Sequence, residues 1–136
     1  MQQKIIKSLC MTSLLCAASA MAAPKVIGIL VPLEHQAMTE IVNGFKSELN
    51  KKYAGPVVVE VKNAEHDPTL QRSILQQFKA GDVDVVEPIG TDALEMTLSI
   101  IKHKPVVGIA AEISAQELKA MHPKHATNVL DQIDDN

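Results

Sequence analysis

The stretch that decides the fold is DVDVVEPIGTDALEMTLSIIKHK, residues 82–104. Its first part contains β-branched side chains that favour a buried strand over a helix, namely Val83, Val85 and Val86. Pro88 has no backbone N–H to donate, so we predict that regular strand pairing stops near Glu87. The segment therefore opens with a short buried strand.

The second part of this stretch predicts a tight turn and a helix. Gly90 permits a sharp reversal, and Thr91 is predicted to cap the free N–H groups of the helix. The apolar residues of the helix recur every three or four positions, which indicates one buried face: Leu94, Leu98 and Ile101. A strand that turns directly into a helix N-terminus is where open α/β sheets bind ligands. We therefore expect the functional surface here.

The first 22 residues have the order of a secretory signal peptide. Lys4 and Lys7 supply the positive end, residues 9–18 form a short apolar segment, and Ala20-Met21-Ala22 offers a cleavage site. The apolar segment is too short to span a bilayer. We expect cleavage after Ala22 and a periplasmic or secreted product, residues 23–136, that forms a single domain.

Removing this leader changes the composition in two ways. Both cysteines, Cys10 and Cys16, leave with it, so the mature chain is expected to have neither a disulfide nor a thiol nucleophile. Lys4 and Lys7 also leave, and the remaining 11 basic and 16 acidic residues give a net charge of −5. That balance argues against nucleic acid and anionic membranes as partners.

The rest of the chain alternates apolar strands with amphipathic helices. Strands are predicted at residues 26–31, 57–61 and 105–110, and a fifth begins within 127–130. The first helix buries a face made of Met38, Ile41, Val42, Phe45 and Leu49. We interpret Gly44, inside that helix, as a point of close contact with the sheet. The later helices start at Asp67-Pro68 and at the capping box of Ser114 and Glu117.

Four β-α units with short connections predict the fold class. They indicate an α/β protein with right-handed crossovers and a Rossmann-like, doubly wound parallel sheet, to which a fifth strand adds. The carboxyl ends of parallel strands meet at one edge of such a sheet. Acidic residues follow the predicted strands at that edge: Glu34, Glu65, Asp92 and Glu112. Taken singly, each is interpreted as a helix cap or a solvated loop residue.

Enzyme and metal signatures are missing from the sequence. It contains no G-x-G-x-x-G, no Walker-type phosphate loop and no G-x-S-x-G elbow, so we predict that the protein is not an enzyme and needs no cofactor. His122 and His125 lie close together, but Pro123 breaks the helix that would align them, so no zinc site is predicted.

Five pieces of the sequence, in order, resemble the opening of an ABC-transporter substrate-binding protein of the type I periplasmic-binding fold. The resemblance runs from residue 25 to about 130, and the most similar branch includes binders of aromatic amino acids. The pieces are Ile27-Gly28-Ile29-Leu30 with Glu34-His35, Gly44-Phe45-Lys46, Asn63-Ala64 before Asp67-Pro68, Gly90-Thr91, and Pro105-Val106-Val107.

This resemblance implies a lobe that holds a small ligand, such as an amino acid, and delivers it to a membrane permease. Family members close two lobes around the ligand, and the second lobe is absent from this sequence, so we expect a truncated form with a weakened or lost ligand. The ligand-facing positions implied by the resemblance are Glu34, His35, Gly90, Thr91, Asp92, Ala111 and Glu112.

Two other functions stay open at this stage. An exported α/β domain without a small ligand would bind a protein partner, or form a homo-oligomer, through the surface that a second lobe would cover. A small enzyme of an undescribed type would instead show a pocket with convergent groups of perturbed pKa.

Overall fold

The computed structural model describes residues 22–120 and 125–129, in which five strands alternate with four helices. The strands are β1 (Lys25–Val31), β2 (Val57–Asn63), β3 (Val85–Pro88), β4 (Val106–Ile109) and β5 (Ala126–Val129). The helices are α1 (Gln36–Lys52), α2 (Pro68–Ala80), α3 (Thr91–Ile100) and α4 (Ala115–Ala120).

All five strands are parallel and form one sheet in the order β2-β1-β3-β4-β5. β1 pairs with β2 along its whole length, from Lys25 opposite Val57 to Val31 opposite Asn63, and with β3 on its other side. The chain therefore winds first to one side of β1 and then to the other. This confirms the predicted doubly wound α/β fold, including its fifth strand.

The helices bury the two faces of the sheet unequally. On one face α1 covers Ile27, Ile29 and Val31 of β1, together with parts of β2 and β3. On the other face α2 and α3 enclose the larger core, in which Leu75, Phe78 and Leu94 are almost completely buried. Every apolar residue predicted for the inner face of α1 belongs to the apolar cluster between α1 and the sheet.

Two of the predicted helix starts are confirmed by their hydrogen bonds. Asp67 Oδ1 accepts from the amides of Thr69 and Leu70 at 2.7 and 3.2 Å, and Pro68 opens α2. Before α4, the Ser114 amide donates to Glu117 Oε2 at 2.9 Å, and the Glu117 amide donates to Ser114 Oγ at 3.1 Å. The Ser114 hydrogen bonds to this carboxylate lower the pKa of Glu117, which is fully exposed.

The central stretch differs from prediction at its turn. Pro88 does not stop the pairing, because β3 includes it, and the Ile89 amide donates to the Leu30 carbonyl at 3.0 Å. Thr91 is not the cap of α3: it is the first helical residue, and Gly90 holds the N-cap position with φ of 92°. Glycine adopts this left-handed conformation without steric cost.

The predicted close contact between the first helix and the sheet is wrong. Gly44 makes no close helix–sheet contact, because a Cβ placed there would meet no atom within 4 Å. The tight approach lies at Gly28 in β1, where a Cβ would be 3.0 Å from the Phe78 ring of α2. Lys104 follows α3 in the chain, but its Nζ donates to the carbonyls of Phe78 and Gly81, at the end of α2.

Several predictions fall outside the described residues. These are the leader up to Met21, the geometry between His122 and His125, and Leu130 at the end of the predicted fifth strand. Within the described ranges, no helix combines the length and apolarity needed to cross a bilayer.

Candidate functional site

The predicted ligand-facing residues follow β1, β3 and β4, at the carboxyl edge of the sheet. They are Glu34 and His35 before α1, Gly90, Thr91 and Asp92 at the start of α3, and Ala111 and Glu112 after β4. Because β1, β3 and β4 are neighbours in a parallel sheet, these three loops lie next to one another.

A hydrogen bond joins the loops after β3 and β4. The Glu112 amide donates to Thr91 Oγ1 at 2.9 Å, and the Gly90 amide donates to the Ile109 carbonyl at 2.8 Å. The structure thus brings Gly90 and Thr91 together with the segment around Glu112. The Thr91 hydroxyl, which was predicted to cap its own helix, instead holds the neighbouring loop.

The start of α3 has the features of an anion-accepting surface. Gly90, in the N-cap position, has no side chain with which to occupy the first helical amides. Unpaired amides and the helix dipole favour negative charge at such an end. The one acidic residue of the first turn is Asp92, whose side chain is exposed. Positive and negative groups of a small zwitterion would both find partners at this turn.

Glu34 lies apart from this pair of loops. It borders a cleft of about 300 Å³ between α1 and the edge strand β2, which among the described residues is lined by none of the other predicted positions. His35, although next in sequence, occupies the N-cap position of α1, and its side chain is exposed. The lining residues are Val31, Glu34, Met38, Thr39, Val42, Asn43, Lys46, Val61 and Asn63.

The sequence reasoning missed the polar side of this cleft. Thr39, Asn43 and Lys46 recur at a spacing of three to four along α1, beside the apolar face that was recognised. Such a polar stripe is normally the solvent face of a helix. This polar stripe becomes one wall of a cleft because α1 lies over the end of the edge strand β2.

Left-handed backbone is concentrated in the loops at this edge. Outside glycine, the positive φ angles of the described residues belong to Glu65 and His66 after β2, at 53° and 59°, and to Ala110 after β4, at 49°. Residues with a Cβ adopt this conformation at a cost, and such strain is typical of functional loops. The edge that binds ligands in open α/β sheets is thus also the strained edge of this molecule.

Glu87 is the titratable group that the sequence reasoning overlooked. It lies inside β3, its side chain is 5% exposed, and its Oε2 is buried with no hydrogen-bond partner among the described residues. Burial raises the pKa of Glu87 to about 7. A single acid inside the apolar run VVEP was the available signal.

Among residues 22–120 and 125–129, no group of three or more His, Cys, Asp or Glu side chains converges as metal ligands would. The only His125 ring contact described is a 3.3 Å approach of Nε2 to the Ile101 carbonyl.

Comparison with known proteins points to one family. Residues 26–132 match the family model described as ABC transporter substrate binding protein. The chain is also 38% identical over 125 residues to uncharacterized protein RP367 of Rickettsia prowazekii (strain Madrid E). That match includes 92% of this chain but only 37% of the relative's length.

Solved structures share the fold. A substrate binding protein with adhesive properties from Clostridium difficile, CD0873, in its ligand-free, open form, superposes with a TM-score of 0.66 at 22% identity, covering 80% of this chain and 39% of that one. An ABC domain from Streptococcus pneumonia in complex with L-Trp superposes with a TM-score of 0.68 at 22% identity, covering 79% of this chain and 39% of that one. A conserved domain protein from Vibrio cholerae superposes with a TM-score of 0.67 at 24% identity, covering 79% of this chain and 38% of that one.

The chain thus spans less than two fifths of the length of each of these proteins. The family model, by contrast, extends over most of the sequence, from β1 to beyond β5. The resemblance inferred from the sequence is confirmed, and the chain belongs to the family of ABC transporter substrate-binding proteins.

Proposed function

We propose that this chain supplies the first of two lobes of a substrate-binding component that captures a small ligand for an ABC permease. The observation that carries the proposal is the link between Thr91 Oγ1 and the Glu112 amide, which makes one surface of two loops at the carboxyl edge. The role is one of binding without catalysis. An export leader cleaved near Ala22 and a periplasmic or secreted location belong to the same proposal.

The chemistry of the edge favours a ligand with both charges of an amino acid. The backbone amides that follow Gly90 would donate hydrogen bonds to the ligand carboxylate, because they lie at the positive end of α3. Asp92 and Glu112 are exposed carboxylates beside them and suit the ammonium group. Glu34, His35 and Ala111 complete the proposed contact surface. An aromatic amino acid is the first probe, since one structural neighbour was solved with L-Trp.

Affinity for the isolated lobe is expected to be low. A ligand on one open edge keeps its other face in water and lacks half of its hydrogen-bond partners. If two lobes contributed equally to a micromolar complex, each would supply roughly 4 kcal/mol, which corresponds to millimolar binding. We therefore expect dissociation constants no tighter than about 0.1 mM for this chain.

The test is a titration followed residue by residue. Amide chemical shifts of the purified chain are recorded by NMR while L-Trp, and then other amino acids, are added to several millimolar. The proposal expects saturable shifts at Gly90, Thr91, Asp92 and Glu112, reduced in Thr91→Val. They should be preserved in the matched variant Thr69→Val, in the first turn of α2, whose exposed hydroxyl forms no hydrogen bond among the described residues. Shifts confined to other surfaces, or none with any amino acid, would contradict it.

A further inference from the structure

Within residues 22–120 and 125–129, the edge strand β2 has no strand neighbour on its outer side, which leaves a row of unpaired backbone groups. Two hydrogen bonds determine which residues point outward: the Lys25 amide donates to the Pro56 carbonyl, and the Ala64 amide donates to the Val31 carbonyl. In a parallel ladder, alternate residues bond to the same neighbour, so even-numbered residues of β2 face β1. The N–H and C=O groups of Val57, Val59, Val61 and Asn63 therefore point away from the sheet.

Several side chains of β2 are also exposed. Val58 is 44% exposed and Val61 is 38% exposed, and both count among the large exposed apolar residues of the described chain. Glu60 and Lys62, on either side of Val61, are also exposed, and in the described ranges neither side chain forms an ion pair or hydrogen bond. An edge of seven residues with exposed valines is a template for pairing with another strand.

The charges on this edge select one self-complementary register. We propose that two copies of this chain pair antiparallel through β2, with Val61 of each copy facing Val61 of the other across a two-fold axis. Glu60 of each copy then lies opposite Lys62 of the other, so two opposite-charge pairs form. Moving the axis to Glu60 or to Lys62 instead places like charges opposite each other.

The backbone agrees with the same register. Val61 faces itself as a hydrogen-bonded pair, and Val59 faces Asn63, so all outward groups of these residues find partners, in roughly six hydrogen bonds. Glu60 and Lys62 then form the non-hydrogen-bonded pair, in which facing side chains approach most closely. On the α1 side, the cleft beside Val61 and Asn63 leaves room for the side chains of the added strand.

The closed two-fold arrangement also explains why such an edge is compatible with a discrete protein. In an isologous contact the β2 edge of each copy pairs with the β2 edge of the other, so neither of these two edges is free to recruit a further copy. The surface is separate from the ligand-facing loops after β3 and β4, and of the proposed ligand-facing residues only Glu34 borders the same cleft.

Sedimentation equilibrium of the purified chain, up to about 1 mM, tests the dimer, since small interfaces give concentration-dependent association. We expect a monomer–dimer equilibrium. Glu60→Lys or Lys62→Glu alone should weaken it roughly 10- to 100-fold, because each creates two like-charge pairs. The double exchange E60K/K62E should restore it, because opposite charges again face each other. Glu95→Lys, on the exposed side of α3, is the matched control and should leave the equilibrium unchanged.

Val61→Pro gives an independent test of the backbone. Its missing N–H points outward, so the monomer keeps its bonds to β1 while the dimer loses the central pair. Circular dichroism checks that the variant remains folded. A chain that is monomeric at every concentration, a dimer unaffected by the single charge reversals, or a double exchange as weak as the single variants would each overturn the proposal.

Discussion

The hydroxyl of Thr91 accepts a hydrogen bond from the backbone amide of Glu112 at 2.9 Å. Thr91 opens α3, and Glu112 lies in the loop after β4, 21 residues later in the chain. Neither residue needs the other for its local conformation. The contact exists because β3 and β4 are adjacent in the sheet, and it holds two loops of the proposed ligand surface in one arrangement.

Replacing Thr91 by Val removes the acceptor of this bond at nearly constant shape. Because the amide of Glu112 is near solvent, we expect a small loss of stability, about 0.5–1 kcal/mol. The more specific result is local: hydrogen exchange at the Glu112 amide should become about two- to fivefold faster, as expected for about 0.5–1 kcal/mol of lost protection. Thr91→Ser keeps a hydroxyl and should retain protection. Unchanged exchange in the valine variant would mean that the loop is held by other contacts.

Two glycines should respond in opposite directions to the same substitution. Gly28→Ala places a Cβ 3.0 Å from the Phe78 ring, so we expect overpacking to destabilise the protein by about 1–3 kcal/mol. Gly44→Ala adds a methyl where no atom lies within 4 Å, inside α1, and should stabilise by up to about 1 kcal/mol. Urea unfolding of both variants measures the difference. Equal effects would refute the assignment of the tight approach to Gly28.

Ala110 is expected to be more stable as glycine. Ala110 has a left-handed backbone conformation, with φ of 49°, in which its Cβ causes steric strain. Ala110→Gly removes this strain, so the free energy of unfolding should rise by about 1 kcal/mol. The matched substitution Ala93→Gly, in the buried first turn of α3, should instead destabilise by about 1 kcal/mol or more. Thermal unfolding of the two variants shows whether each substitution raises or lowers the stability of the protein. A loss of stability in Ala110→Gly would show that the strain is absent.

Glu87 should make the protein less stable as pH rises. Burial raises its folded pKa from 4.5 to about 7, so between these values the unfolded state loses its proton first. The free energy of unfolding is therefore greatest below pH 4.5 and falls until about pH 7, by roughly 3 kcal/mol. Glu87→Gln removes this dependence.

The measurement is urea unfolding of wild type and Glu87→Gln between pH 4.5 and 8. The variant's advantage should grow up to about pH 7 and then level off. Glu95→Gln, an exposed acid in α3, is the matched control and should follow the wild type. A constant difference between Glu87→Gln and wild type at every pH would show that Glu87 titrates normally in the folded protein.

Local signals were sufficient for most of the fold. The alternation of β-branched runs with helical apolar faces predicted the order of elements, because each pattern depends on residues within one or two turns of each other. The Asp67 cap and the Ser114–Glu117 capping box were predictable for the same reason, since each is closed by a side chain two or three residues from its partner amide.

What the sequence by itself determined, then, is the element order, the parallel α/β class, the family and the loops that follow each strand. The tertiary structure alone decided that Thr91 serves Glu112 rather than its own helix, that Gly28 rather than Gly44 is packed tightly, and that Glu87 is buried. It also made β2 an edge whose outward groups are unpaired. Each of these depends on which distant residues a strand or helix meets, and strand neighbours in a parallel sheet are separated by whole crossover connections.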